Sequence, residues 1–153
     1  MQQDVEFGII QIVDIALRAI SPAINDPTTG ISCIDQLSRI IIYWLGREPA
    51  KWRYYAPPHV LRLVVSWITF QGLIDTAFDQ IRHYAVADTA VSLRLIRALH
   101  DIATAAKRED EQSLLIELAR RIVAGSALHL SESELARLKQ RVAELEAYVA
   151  TWK

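Results

Sequence analysis

Apolar residues recur at helical spacing along most of this chain. Over residues 4–20 nearly everything outside a few polar positions is Ile, Val, Leu, Ala or Phe. The polar residues Asp4, Gln11, Asp14 and Arg18 fall within about 80° of one another at 100° per residue, a single narrow stripe. This pattern predicts a helix that is mostly buried, ended by Ser21-Pro22. Asn25-Asp26-Pro27-Thr28-Thr29 then marks a new start. Asp26 can accept from exposed backbone N–H groups, and Pro27 suits the first helical position, where no donor is needed. The second helix carries Cys33, Ile34, Leu37, Ile41, Trp44 and Leu45 on one side and ends near Gly46.

The period changes next. Leu61, Leu63, Val65 and Trp67 alternate with Arg62, Val64 and Ser66, and Trp52-Arg53-Tyr54-Tyr55 is a second strand-prone run. With Pro57-Pro58 between them, these runs predict a small hairpin around residues 51–67, although two prolines are not a favoured two-residue hairpin turn. Helical spacing then resumes. Thr69 caps a third helix to about Tyr84, with Phe70, Leu73, Ile74, Ala77, Phe78 and Ile81 inward and Gln71, Asp75, Asp79 and Arg82 as a second polar stripe. Asp88 caps a fourth, with Val91, Leu95, Leu99 and Ile102 inward. Lys107-Arg108-Glu109-Asp110-Glu111 reads as a solvated connection to a fifth helix over about 111–128. Ser131-Glu132-Ser133-Glu134 matches the capping box that opens a last helix. Its Leu135, Leu138, Val142, Leu145, Val149 and Trp152 follow the alternating three-four spacing of a helical seam. The expected fold is mainly α: a single domain, 1–153, of five to six helices with a short β-hairpin.

Composition narrows the function classes. The 153 residues contain 52% hydrophobic and 23% charged residues, an ordinary globular balance. Lys+Arg 17 against Asp+Glu 18 leaves a net charge of −1. That argues against nucleic-acid binding, and the modest basic set Arg94, Arg97, Lys107 and Arg108 is offset by Glu109, Asp110 and Glu111. The lone Cys33 excludes an internal disulfide framework and reads as a small packed hydrophobe. The longest unbroken apolar run, residues 40–45, is far too short to span a membrane. Amphipathic sequence starts almost at once, which leads us to expect a soluble portion of a longer chain.

Three strings taken together carry a family resemblance. They are residues 4–27 (DVEFGIIQIVDIALRAISPAINDP), Ile34-Asp35-Gln36-Leu37, and Ala77-Phe78-Asp79-Gln80-Ile81-Arg82-His83-Tyr84. The chain resembles the C-terminal soluble region of the bacterial predicted membrane proteins called domain-of-unknown-function family 2254. The resemblance is strongest from Asp4 to Tyr84 and weak after Lys107. It implies transmembrane helices N-terminal to this portion and no assigned activity. It also implies membrane association through those spans, with this part in the cytoplasm if the spans are even in number and the N-terminus is cytoplasmic. At Pro57-Pro58 the chain departs from the Gly-containing polar turn expected there.

The candidate chemistry lies in the two stripes. Asp14 with Arg18 and Asp79 with Arg82 are spaced to pair on their helices. On helices otherwise apolar, such charges are expected to be partly buried and to contact each other or the Asn25-Asp26 turn. The candidate polar or binding cluster is therefore Asp14, Arg18, Asn25, Asp26, Asp75, Asp79 and Arg82. It is either a network fixing helix register or a ligand or partner site. No catalytic motif, metal set or cofactor loop stands out, and His59, His83, His100 and His129 are scattered. The expectation is a non-catalytic module for docking, oligomerisation or ligand sensing, partnered by the transmembrane part of its own chain. Two rivals stay open. One is an enzyme using Asp14, Asp75 and Asp79 as acid/base groups or metal ligands. The other is a stand-alone dimeric scaffold joined through residues 131–152.

Overall fold

The computed structural model describes residues 2–47, 53–64 and 68–151. The expected elements form in order: α1 (Gln2–Ala19), α2 (Pro27–Leu45), β1 (Arg53–Ala56), β2 (Val60–Val64), α3 (Phe70–Tyr84), α4 (Thr89–Ala105), α5 (Glu109–Ser126) and α6 (Glu132–Ala150). The fold is mainly α, as the periodicity predicts.

Local chemistry sets most helix starts. Asp26, Thr69, Asp88 and Ser131 each accept from a backbone N–H in the first turn of α2, α3, α4 and α6, satisfying donors the helix leaves free. Pro27 occupies the first position of α2. The α5 start differs from the sequence expectation. It begins at Glu109, so Glu109, Asp110 and Glu111 form its first turn rather than a connection. Three carboxylates there face the positive end of the helix dipole, which favours extending the helix back to them.

The core is shared by all six helices among the described residues. α3 touches α1, α2, α4 and α5, and α4 touches α2, α3, α5 and α6, so these two helices form the middle of the bundle. Leu73, Ile74, Ala77, Phe78 and Ile81 of α3 and Val91, Leu95, Leu99 and Ile102 of α4 are buried, the inward faces read from the sequence. The seam of α6 is used within the chain. Its Leu138, Val142 and Leu145 are buried where α6 packs on α4 and α5, while Leu135 and Val149 are only partly covered and Trp152 lies outside the described residues.

Between α1 and α2 the chain reverses tightly. Asn25 takes φ 50°, a left-handed conformation that asparagine tolerates, and the Asp26 N–H donates to the Ala19 carbonyl. The start of α2 passes close to the end of α1 because residue 30 is glycine. A Cβ there would lie 2.6 Å from Ile20 Cγ2.

The hairpin forms, with a different geometry from simple alternation. β1 and β2 are antiparallel, pairing Tyr54 with Leu63 but Tyr55 with Leu61, so Arg62 is an extra residue in a β-bulge. Pro57-Pro58-His59 forms the connection, with a cis Pro57-Pro58 bond. His59 has φ 99°, a region that favours glycine, at the turn where a glycine is expected from the family resemblance. Val65, Ser66 and Trp67, read as part of the second strand, lie outside the described residues, as does Trp52. Among the described residues the ribbon packs against no helix, and Tyr55, Val60 and Leu61 are exposed.

Candidate functional site

Among the described residues α1 is covered on one side only. Ile9, Val13 and Ala16 turn into the core, where α1 meets α2 and α3. The opposite arc carries Phe7, Ile10 and Ile15, which are 64%, 40% and 52% exposed, beside Gln11, Asp14 and Arg18, also exposed. This corrects the expectation that the charges of the first stripe are at least partly buried. Asp14 and Arg18 make no ion pair with each other or with α3 among the described residues. The physical reason is geometric. Two neighbours cover only part of a helix surface, so the outer arc stays in contact with solvent whatever residues it carries. High apolar content on α1 does not mean burial all round.

The other cluster residues fall into separate places. Asn25 is exposed and serves the turn through its backbone. Asp26 caps α2: its carboxylate accepts from the Thr29 N–H at 3.1 Å and the Thr29 hydroxyl at 2.5 Å. Those hydrogen bonds hold its carboxyl below the ordinary value. Asp79 and Arg82 pair on α3 as predicted, with Arg82 donating through Nε and Nη2 to Asp79 Oδ1 at 3.2 and 2.7 Å. Asp75 is half-buried one turn earlier and joins no ion pair among the described residues. Thus the seven residues fall into an outward pair of charges, a capped turn, an ion pair on α3 and the separate Asp75, not one network among the described residues. The α3 pair is partly solvated, so Asp79→Asn should lower stability by no more than about 1 kcal/mol, read as the urea midpoint at unchanged slope.

Other polar links were not legible from local sequence. Arg94 of α4 bonds to Asp35 of α2. Arg120 of α5 donates to Glu146 of α6 at 2.8 Å. Each joins residues remote in sequence, so no spacing rule announces it. The capping Glu134 also reaches across the fold. Its Oε1 accepts from the Thr89 hydroxyl at 2.7 Å, at the start of α4. Its Oε2 accepts from the Ser131 hydroxyl and N–H at 2.6 and 3.0 Å. The hydroxyls of Ser131 and Thr89 lower its carboxyl from 4.5 to about 2. A folded value below the unfolded one means stabilisation that is present above pH 4.5 and lost as pH falls toward 2. Melting temperature should therefore fall across that window, and less steeply in Glu134→Gln.

A second feature lies between α4 and α6, with Ile31 of α2 on its wall. It is an open groove of about 520 Å³ lined by Arg94, Arg97 and Asp101 from one helix and Arg137 and Arg141 from the other. The sequence signal available was the one-turn spacing of Arg137 and Arg141, matched by Arg94 and Arg97. It acquires meaning only once the two helices are known to be neighbours. Elsewhere, Cys33 is buried as expected, and burial pushes its thiol up. His83 is exposed, and His100 meets Tyr148 edge to face with ring centres 5.3 Å apart. Among the described residues no three His, Cys, Asp or Glu side chains converge in a metal-binding arrangement.

The strings near the N-terminus now stand on α1, the α1–α2 turn, α2 and α3, and comparison with known proteins covers the same part. The model of domain-of-unknown-function family 2254, described as predicted membrane proteins, matches residues 1–101. The chain belongs to this family. Uncharacterized proteins of Mycobacterium bovis and of two strains of Mycobacterium tuberculosis are each 34% identical to it over 110 residues. The match covers 67% of this chain and 20% of each relative, so the chain spans about a fifth of the length of the curated relatives it matches. No solved structure matches. The family match ends within α4, leaving α5 and α6 beyond it. Although the members of family 2254 are described as predicted membrane proteins, no helix among the described residues is long and apolar enough to cross a membrane.

Proposed function

We propose that this chain is a non-catalytic extramembrane module of a family 2254 membrane protein. In this reading it docks on the membrane-embedded part of its own polypeptide through the outward arc of α1. The observation that carries the proposal is the exposure of Phe7, Ile10 and Ile15 on a helix whose other side is already occupied by α2 and α3. Large apolar side chains grouped on one exposed arc are a surface for association rather than for water. The charges Asp14 and Arg18 in the same arc would fix its orientation, since charged groups at an interface contribute mainly to register and specificity. The occupant follows from the family: its members are predicted membrane proteins, and the relatives extend far beyond the matched stretch.

A photo-crosslinking residue at position 15 of the full-length protein in native membranes tests this. The expected product is an internal crosslink, with unchanged mass and altered mobility, mapped by proteolysis to a membrane-embedded segment. A crosslink to a second copy would overturn own-chain docking in favour of a scaffold formed between copies. No crosslink in folded protein would overturn docking through α1 altogether.

A further inference from the structure

We propose that the groove between α4 and α6 binds a small, multiply charged phosphate group, with a diphosphate as the smallest complete ligand. Four guanidinium groups converge on it from two helices: Arg94 and Arg97 on α4, Arg137 and Arg141 on α6. In a chain with 17 Lys and Arg residues in all, four arginines at one groove are a local concentration of guanidinium donors. The groove volume of about 520 Å³ is in the range that small ligands occupy.

The arginines are oriented but not used up. Arg94 gives its Nε to Asp35, Arg97 gives its Nε to Asp101 Oδ1 at 3.0 Å, and Arg141 gives one Nη to Glu144 at 2.7 Å. Each guanidinium has five N–H donors in a planar fork, so a single carboxylate bond positions the group and leaves further donors for an anion. The side chain of Arg137 makes no hydrogen bond or ion pair among the described residues; its charge reaches only to Glu134, one turn back. Four cations thus face three hydrogen-bonded carboxylates and the nearby Glu134, and what is left for the groove is unused N–H donors rather than excess charge.

The ligand class follows from the layout. Guanidinium forks match phosphate oxygens better than they match a point charge. Because the donors sit on two helices, a group with anionic oxygens on two phosphorus atoms offers more acceptors to both sides than a monophosphate does. The apolar side chains of Ile31 and Leu93 in the same groove would meet the uncharged part of a larger molecule. Nucleotide-like solutes and acidic lipid headgroups share this chemistry. Since α6 lies beyond the family match, half of this site belongs to the part of the chain outside it.

The test titrates pyrophosphate into the chain by calorimetry and by melting temperature. Saturable binding and a raised melting temperature are expected. The variant Arg97→Gln/Arg137→Gln should bind at least about tenfold more weakly, as loss of charge-assisted hydrogen bonds predicts. Arg120→Gln/Arg121→Gln, on α5 outside the groove, should bind as the parent does. If the double variant fails to fold, Arg137→Gln alone serves, because the Arg137 side chain makes no hydrogen bond among the described residues.

A second arm sediments the chain with phosphatidylcholine vesicles, with and without phosphatidylglycerol. Pyrophosphate binding with no sedimentation supports a soluble phosphate ligand. Sedimentation with anionic vesicles that depends on Arg97 and Arg137 and is displaced by pyrophosphate supports a headgroup. Absence of both bindings overturns the proposal. So does binding that the α5 variant weakens as much as the groove variant.

Discussion

Replacing Phe78 with alanine is expected to lower the unfolding free energy by about 3–5 kcal/mol, the range for removing a large aromatic from a packed core. Phe78 is 1% exposed and stands on α3, the helix that touches α1, α2, α4 and α5. A cavity there opens where several helices meet, and their side chains cannot all relax into it without losing contacts elsewhere. A domain of this length typically has about 5–15 kcal/mol in total, so the loss is a large fraction of it. For a chain of this size it corresponds to a fall in melting temperature of roughly 6–20 °C. Phe78→Leu, which keeps most of the volume, should cost less than about 1.5 kcal/mol if the core repacks. Phe7→Ala on the exposed arc of α1 should stay within about 0.5 kcal/mol. A Phe78→Ala variant that melts with the parent would show that α3 is not central to the fold.

The second large effect is expected at Gly30. Glycine inside a helix normally costs about 1 kcal/mol relative to alanine, so on propensity alone Gly30→Ala should stabilise. Packing reverses the sign. The new Cβ would stand 2.6 Å from Ile20 Cγ2, far inside normal contact, and that methyl sits on a β-branched side chain with little freedom to turn aside. Overfilling a packed site costs about 1–3 kcal/mol, more than the propensity gain for most of that range. Gly30→Val adds bulk without the helix-forming advantage of alanine and should cost about 3 kcal/mol. Gly8 on α1 is the internal control. A Cβ there meets nothing within 4 Å, so Gly8→Ala should raise stability by about 0.5–1 kcal/mol. Urea denaturation of the three variants checks both signs. If Gly30→Ala stabilises as much as Gly8→Ala, the close approach of α1 and α2 is wrong.

The contrast between those two glycines shows what kind of information the sequence holds. Helix starts at Asp26, Thr69, Asp88 and Ser131 are legible because a cap is settled within four residues of chain. Inward faces of α3 and α4 are legible because both helices have neighbours on several sides, so their apolar stripe and their buried surface coincide. On α1 that equivalence fails. Its apolar content exceeds what α2 and α3 can cover, and the surplus is Phe7, Ile10 and Ile15. The same reasoning predicts that Asp14 and Arg18 are at least partly buried, and they lie instead on the open arc. The bulge at Arg62 escaped the two-residue period because a bulge is defined by the partner strand, not by the strand itself. The arginine groove escaped because its two walls, α4 and α6, are separated in sequence by the whole of α5.

The ribbon of β1 and β2 sets a condition on handling the chain. A two-stranded sheet has an outer edge on each strand, and among the described residues no helix covers either one. Such ribbons are only marginally stable in water by themselves, and an uncovered strand edge is a template for pairing with another strand. Tyr55, Val60 and Leu61 add apolar surface at the same place. When molecules are crowded, the first contacts between them should therefore be main-chain bonds along these edges, growing as an open-ended stack rather than closing into a dimer. Clouding of a concentrated sample would then begin at the ribbon while every helix is still folded.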